Sequence, residues 1–360
     1  MKNNVPAVLV IPNGVTEIGA GAFRGCTVLE SVTIPGGVTK IGDRAFEGCT
    51  SLTDVMLSIG VEEIGVGAFR GCTSLENVTI PDGVTKIGDR AFEGCKALMD
   101  VTLPNGVTAI GKSAFMDCDS LMGLSIPNTV KEIGEYAFVR CGLLSNVNIP
   151  NGVTEIGIGT FAQCTSLIGV TIPSSVGKIG KAAFRNCNKI CQITLPNGIT
   201  EISDATFLDC HSLVSIYIPN SVTKIGKDAF RNCNKICQIT LPNGITEVSE
   251  ATFLDCHSLD SICIPNGVTK IGKGAFVRCC SLKGVIIPNS VTEIDEYAFA
   301  CCSSLTIITI PNSVMEIGEH AFDGCINLRD IRYDGTEAQW NAVKKGDECQ
   351  QLGVRCLHKS

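Results

Sequence analysis

Charge, bulky aromatic rings and long apolar runs are all scarce in this chain. Charged residues make up 18% of the 360 positions, below the usual quarter. Trp occurs once, Tyr four times and His four times. No apolar stretch approaches the roughly 20 residues of a membrane-spanning helix, so membrane insertion is not expected. No basic run or stripe is present, acids and bases are interspersed, and the net charge is −7, so nucleic acid is not an expected partner. The opening "MKNNVPAVLVIPNGV" has a short apolar run but no small-residue cleavage site, and no signal peptide is visible in it. There is no C-x-x-C pair, no G-x-G-x-x-G after a strand and no Walker motif, and no cofactor is expected.

What the chain has instead is a lattice. All 14 phenylalanines, from Phe23 and Phe46 to Phe322, are spaced 23 residues apart without exception. A Cys follows each Phe by three residues, and a Leu follows each Cys by three, replaced by Ile at Ile190 and Ile236. A proline precedes each next unit, and only Ser58 breaks that series. The unit reads L-x-x-V-x-I-P-N-G-V-T-E-I-G-x-x-A-F-x-x-C-x-x. Independent domains do not keep such a period; stacked coils that bury their apolar side against each other do. In "LESVTIP", Val32 and Ile34 should point inward and Ser31 and Thr33 outward, by the period of two of a strand. Pro35 stops the strand, and "PNG" or "PNS" supplies a turn. "VTEIG" reads as a second short strand, with Gly19 and its equivalents closing it at positive φ. "AFRGC" is at most a short helical turn with Phe and Cys on one face.

These residues resemble the BspA-like (Treponema-type) leucine-rich repeat family. "IPNGVTEIGAGAFRGCTVLESVT" is similar to that family's repeat, the likeness runs from about Val8 to Tyr333, and "IRYDGTEAQWNAVKKGDE" is similar to a closing segment of bacterial members. The resemblance implies a right-handed superhelix, β-rich with short helical turns, here of 14 coils of 23 residues. It also implies a surface or secreted binding protein, adhesins included, with no catalysis by the repeats. The expected organisation is a solenoid over 1–333 and a capping segment and tail over 334–360, with Tyr333 and Trp340 covering the Phe322 coil. A monomer that binds protein, such as a host or extracellular matrix protein, is the expectation. A cytoplasmic scaffold or regulator on the same fold is the alternative, since no signal is visible.

The 21 cysteines admit three readings. Zinc needs four converging ligands, whereas one Cys per coil makes a line. His211 and His257 lie two coils, roughly 10 Å, apart and cannot share an ion. Neighbouring ladder cysteines, about 5 Å apart, lie within disulfide range. The chemical likeness of all 14 sites favours a ladder of packed thiols, because disulfides would pair them alternately. Cys191, Cys237, Cys263, Cys280 and Cys301 fall off the lattice and are expected to be partly exposed, and Cys349 and Cys356 can pair in the tail. "LDCHSL" recurs unchanged at Leu208 and Leu254, so its Ser, His and Asp read as repeat drift rather than a catalytic group.

A partner is expected on the outward residues of the first strand. Threonine dominates one column there, but Tyr217, Cys263 and Ile286 interrupt it. Beside it run Met99, Met122, Ile168, Cys191, Val214 and Cys237, with Ser145 intervening. These nine residues are the candidate partner-binding set, an apolar strip on a concave face. The core assignment has its own test. Phe161→Ala should cost about 3–5 kcal/mol by opening a cavity, read as a lowered denaturant midpoint. An unchanged midpoint would contradict the core role of the Phe lattice.

Overall fold

The computed structural model describes residues 6–346 and 353–357. The chain divides into two compact units, Met1–Asn188 and Lys189–Ser360. Both are parallel β-solenoids built from two kinds of strand. In the first unit, the three-residue strands begin with Val8–Val10, Ser31–Thr33 and Asp54–Met56, each pairing with the next. Two-residue strands such as Glu17–Ile18, Lys40–Ile41 and Glu63–Ile64 form a separate ladder. In the second unit, Gly284–Ile286, Ile307–Pro311, Asp330–Asp334 and Gly353–Cys356 form one such sheet of longer strands, and Glu247–Val248 to Lys344–Lys345 form one of the shorter kind.

The expected alternation holds. Val32 and Ile34 are buried, while Ser31 and Thr33 remain partly open to solvent. From Phe46 to Phe322 the phenylalanines are at most 3% exposed; Phe23, in the first coil, is half-buried. Their rings stack one per coil, with centroids 5.3 Å apart for Phe46–Phe69 and 5.7 Å for Phe230–Phe253, nearly parallel in both cases. That spacing suits offset aromatic stacking and matches the coil rise, so ring and backbone ladders share one period.

The segment around each Phe is not helical. Ala22, Arg24 and Cys26 donate their N–H to the carbonyl three residues back, at Gly19, Gly21 and Phe23. The intervening Gly21, Phe23 and Gly25 donate instead to Asp43, Ala45 and Glu47 of the next coil, at 2.9, 2.7 and 2.6 Å. A helix would consume every N–H inside the segment; here alternate donors turn outward and form a third ladder. The turning is done by left-handed residues. In every coil from Phe23 to Phe322, the residues two before and two after the Phe have positive φ. Many are not glycine: Arg44 and Tyr136 lie two before, Asp117 and Asn186 two after.

This corrects the role given above to the Ile-Gly glycines. Gly19 and Gly42 do not have positive φ; the left-handed residue comes two positions later. The glycine is required by close approach. A Cβ on Gly42 would stand 2.7 Å from the Ile18 carbonyl oxygen, and one on Gly88 2.5 Å from that of Gly65. Where Ser249 replaces it, the hydroxyl donates to the Ile225 carbonyl at 2.6 Å, turning the crowding into a hydrogen bond.

The column before the Ile-Gly position alternates Glu and Lys over much of its length, broken at Ala109, at Glu132/Glu155 and at Glu293/Glu316, and its opposite charges form coil-to-coil pairs. Lys40–Glu63 (3.2 Å) and Lys178–Glu155 (2.6 Å) lie in the first unit, Lys224–Glu201 (3.0 Å) and Lys270–Glu293 (2.7 Å) in the second. Each exposed pair is worth about 0.2–1 kcal/mol, and a slip by one coil would bring like charges together.

Two substitutions separate the two glycine roles. Ala205 sits at φ 55°, so Ala205→Gly should stabilise the fold by about 0.5–1 kcal/mol, against the usual sign of Ala→Gly. Gly88→Ala should destabilise by about 1–3 kcal/mol through backbone overlap. Denaturant midpoints read both; a lower midpoint for the first or an unchanged one for the second contradicts the assignment.

Candidate functional site

The three-residue strands present alternate side chains to solvent on a hydrogen-bonded ladder, which makes their outer face the rigid surface on which the candidate residues sit. In the first unit, Met99 and Met122 are consecutive: Met122 N–H donates to Met99 O at 3.0 Å. Met122 is exposed, but Met99 is half-buried, less open than an exposed strip requires. Ile168, 55% exposed, follows the polar Ser145, whose carbonyl accepts its N–H. In the second unit, Val214 N–H donates to Cys191 O at 2.9 Å, and Cys191, Val214 and Cys237 are all exposed. Tyr217, 55% exposed, stands beside Thr194 on the paired strand. Cys263, also exposed, stands beside Thr240, and Ile286, 75% exposed, beside Thr309.

The sequence reading missed other exposed apolar groups. Met56 lies in the threonine column and is exposed, and Ile59 is 91% exposed. Their signal was the one break in the proline series. Ser58 takes the proline's place and donates to the Pro35 carbonyl at 2.9 Å, leaving Ile59 where the turn otherwise carries Asn, Asp, Ser or Gly.

The lattice cysteines are buried, and beyond the first coil the thiols find backbone partners. Cys72 Sγ donates to Phe46 O and Cys256 Sγ to Phe230 O, at 3.2 and 3.1 Å, and the pattern repeats through both units. Because the Phe carbonyl also receives the N–H of its own coil's Cys, the thiol uses the second lone pair of an inward oxygen. In Cys49, Cys164 and Cys256 burial favours the neutral thiol and pushes the pKa up, to about 11 for Cys49 and about 12 for the other two. Cys191, Cys237, Cys263 and Cys301 are exposed and Cys280 is half-buried. Cys349 lies outside the described residues, so its pairing with Cys356 has no structural counterpart here.

The "LDCHSL" histidines make backbone contacts. His211 Nδ1 lies 3.0 Å from Asn232 O and His257 Nδ1 3.0 Å from Arg278 O. A carbonyl can only accept, so Nδ1 carries the proton in both rings. The contact ties one coil to the next, and it also leaves His257 Nδ1 3.9 Å from Cys280 Sγ.

The geometry defines a class: a parallel β-solenoid with one strand–turn–strand unit per 23 residues. The BspA-type leucine-rich repeat region matches residues 7–122, 108–237 and 233–341, and the chain belongs to this family. A leucine-rich repeat protein from Bacteroides ovatus ATCC 8483 is 32% identical, with a TM-score of 0.86 over 98% of this chain and 92% of that one. A leucine-rich cell surface protein from Faecalibacterium prausnitzii A2-165 is 33% identical over 94% of this chain and 81% of that one, with a TM-score of 0.47. A leucine-rich repeat protein from Eubacterium ventriosum ATCC 27560, 22% identical over 88% and 82% with a TM-score of 0.52, shares the fold. No protein of curated function matches the chain. Leucine-rich repeat families are generally protein-binding scaffolds and typically non-enzymatic. Among the described residues, no helix is long and apolar enough to cross a membrane.

The two cysteine populations should separate chemically. At pH 8 a thiol reagent should label Cys191, Cys237, Cys263 and Cys301 on the folded protein and reach the lattice cysteines only after unfolding. A thiol whose folded pKa is raised stabilises fully below the ordinary 9.0 and loses that contribution as pH climbs to the folded value, about 11 for Cys49. Stability should therefore fall between pH 9 and 11, and Cys→Ser at the exposed sites should leave that fall in place. Lattice thiols that label as fast as exposed ones would contradict the packing.

Proposed function

We propose that the chain is a non-enzymatic protein-binding repeat protein whose partner docks on the outer face of the three-residue strands. One observation carries the reading: large apolar side chains occupy solvent-facing strand positions, with Ile286 75% and Tyr217 55% exposed. Apolar groups held on a hydrogen-bonded ladder bind without a large ordering cost, and Tyr is favoured at protein interfaces. The repeat sets like residues in columns, which suits an extended contact surface better than the unlike cluster a catalytic site needs. The finer reading, adhesion at a cell surface to a host or matrix protein, rests on what the family resemblance implies.

One observation favours a second compartment. Four exposed thiols in one chain persist most readily in a reducing environment, which supports the scaffold or regulator reading inside the cell. We also propose that the described residues of 334–360 close the stack of the second unit. Trp340, 6% exposed, meets Tyr333 edge-on at 5.1 Å, and the short helix Glu337–Ala342 that carries it starts with a capping box on Thr336.

Tyr217→Ala combined with Ile286→Asp should abolish capture of partners from surface and cytosolic extracts while leaving the melting curve unchanged. Undiminished capture by the folded variant contradicts docking on this face. The fraction whose proteins are lost, surface or cytosolic, decides between the two compartments.

A further inference from the structure

Charge on the strand face is segregated by unit, although along the sequence the signs are mixed. Three columns of this face are described: the residue after each lattice Leu, and the first and third residues of each three-residue strand. In the first unit these columns hold Glu30, Asp54, Glu76 and Asp100, all exposed, and no Lys or Arg. In the second unit the same columns hold Lys283, Arg329, Arg332 and Arg355, all exposed. Asp260 is the one carboxylate there whose side chain is described, and it accepts from the Ser261 hydroxyl.

None of these eight residues has an ion-pair partner among the described residues. Elsewhere many charges are neutralised coil by coil, as Lys227 is with Glu250 and Lys273 with Glu296. On the strand face, Arg332 instead stands directly across from Arg355 on the paired strand, a like-charge placement that is unfavourable in isolation.

The spacings also match. Glu30 and Glu76 occupy one column two coils apart; Lys283 and Arg329 occupy the equivalent column of the other unit, again two coils apart. One coil is about 5 Å in both units, so two carboxylates and two cations repeat at the same interval of about 10 Å. Apolar groups accompany both sets, Met56 and Met122 on the acidic face and Ile286 on the basic face.

We propose that the strand face pairs with a second copy of this chain, the acidic face of the first unit of one copy meeting the basic face of the second unit of another. This rests on the reading that the strand face is a docking surface, and it replaces the monomer expected from sequence. Mutual neutralisation favours this register, because like faces repel. A different partner then has to displace the second copy.

Sedimentation equilibrium on the full chain tests it by charge exchange. The wild type should associate at 50 mM salt and weaken at least about tenfold at 500 mM, as screening shortens the reach of exposed charges. Glu30→Lys with Glu76→Lys, and separately Lys283→Glu with Arg329→Glu, should each sediment as monomers with unchanged circular dichroism. An equimolar mixture of the two variants should associate again, because each now offers the face the other needs. A wild type that stays monomeric at 50 mM salt, or variants whose mixture fails to associate, overturns the proposal. If that happens while Tyr217→Ala with Ile286→Asp still loses partner capture, the docking face stands and only self-pairing falls.

Discussion

Each coil leaves three rows of backbone donors and acceptors that it cannot satisfy alone, and the neighbouring coil is what satisfies them. Two rows are the ladders of the three-residue and two-residue strands. The third comes from the turns around each Phe, where N–H groups of Gly21, Phe23 and Gly25 cross to Asp43, Ala45 and Glu47. The third row exists because two residues per coil are left-handed, most of them with side chains. Holding such residues costs about 1–2 kcal/mol each, offset by hydrogen bonds of about 0.5–1.5 kcal/mol and by the burial of Phe, Cys and Leu between coils. Neither term is available to a coil in isolation, so each unit depends on stacking.

The same constraint explains the side chains. A ring, a thiol and a glycine recur because each faces its own copy one coil away. The Phe rings stack at the coil rise, the lattice thiols after the first coil reach the Phe carbonyl of the coil before, and the Ile-Gly glycine lets two backbones touch. Alternating Glu and Lys then give the stack a register that a slip would spoil. Freedom is left at solvent-facing positions, where Tyr217, Ile286 and the unpaired charges occur. Function is expected where the period does not dictate the residue.

The period, the inward strand positions and the buried Phe–Cys–Leu core were legible in the sequence because each is an identity repeated at fixed spacing. The left-handed positions were not. Arg44, Ala182 and Cys301 give no local signal for positive φ; the next coil's carbonyls impose it. The Ile-Gly glycine looked like a conformational requirement and proved to be a spatial one, visible only when coils are stacked. The candidate apolar residues were legible as interruptions of a column and are exposed except Met99, which is half-buried; Met56 and Ile59 were missed, Ile59 because it sits in a broken turn. The segregation of charge was hidden because 23-residue columns interleave along the chain: the first unit's columns hold only carboxylates, and cations predominate in the second unit's despite Asp260.

The central claim is that coil-on-coil register, and nothing longer in range, holds each unit together. Two deletions in the first unit test it directly. Removing 77–99 takes out one whole period and leaves every remaining residue in its column; removing 77–88 takes out about half and shifts all that follow. Circular dichroism with thermal melting should show the first deletion folding cooperatively with a modestly lower midpoint, and the second losing its cooperative transition. Equal behaviour of the two deletions would contradict the account.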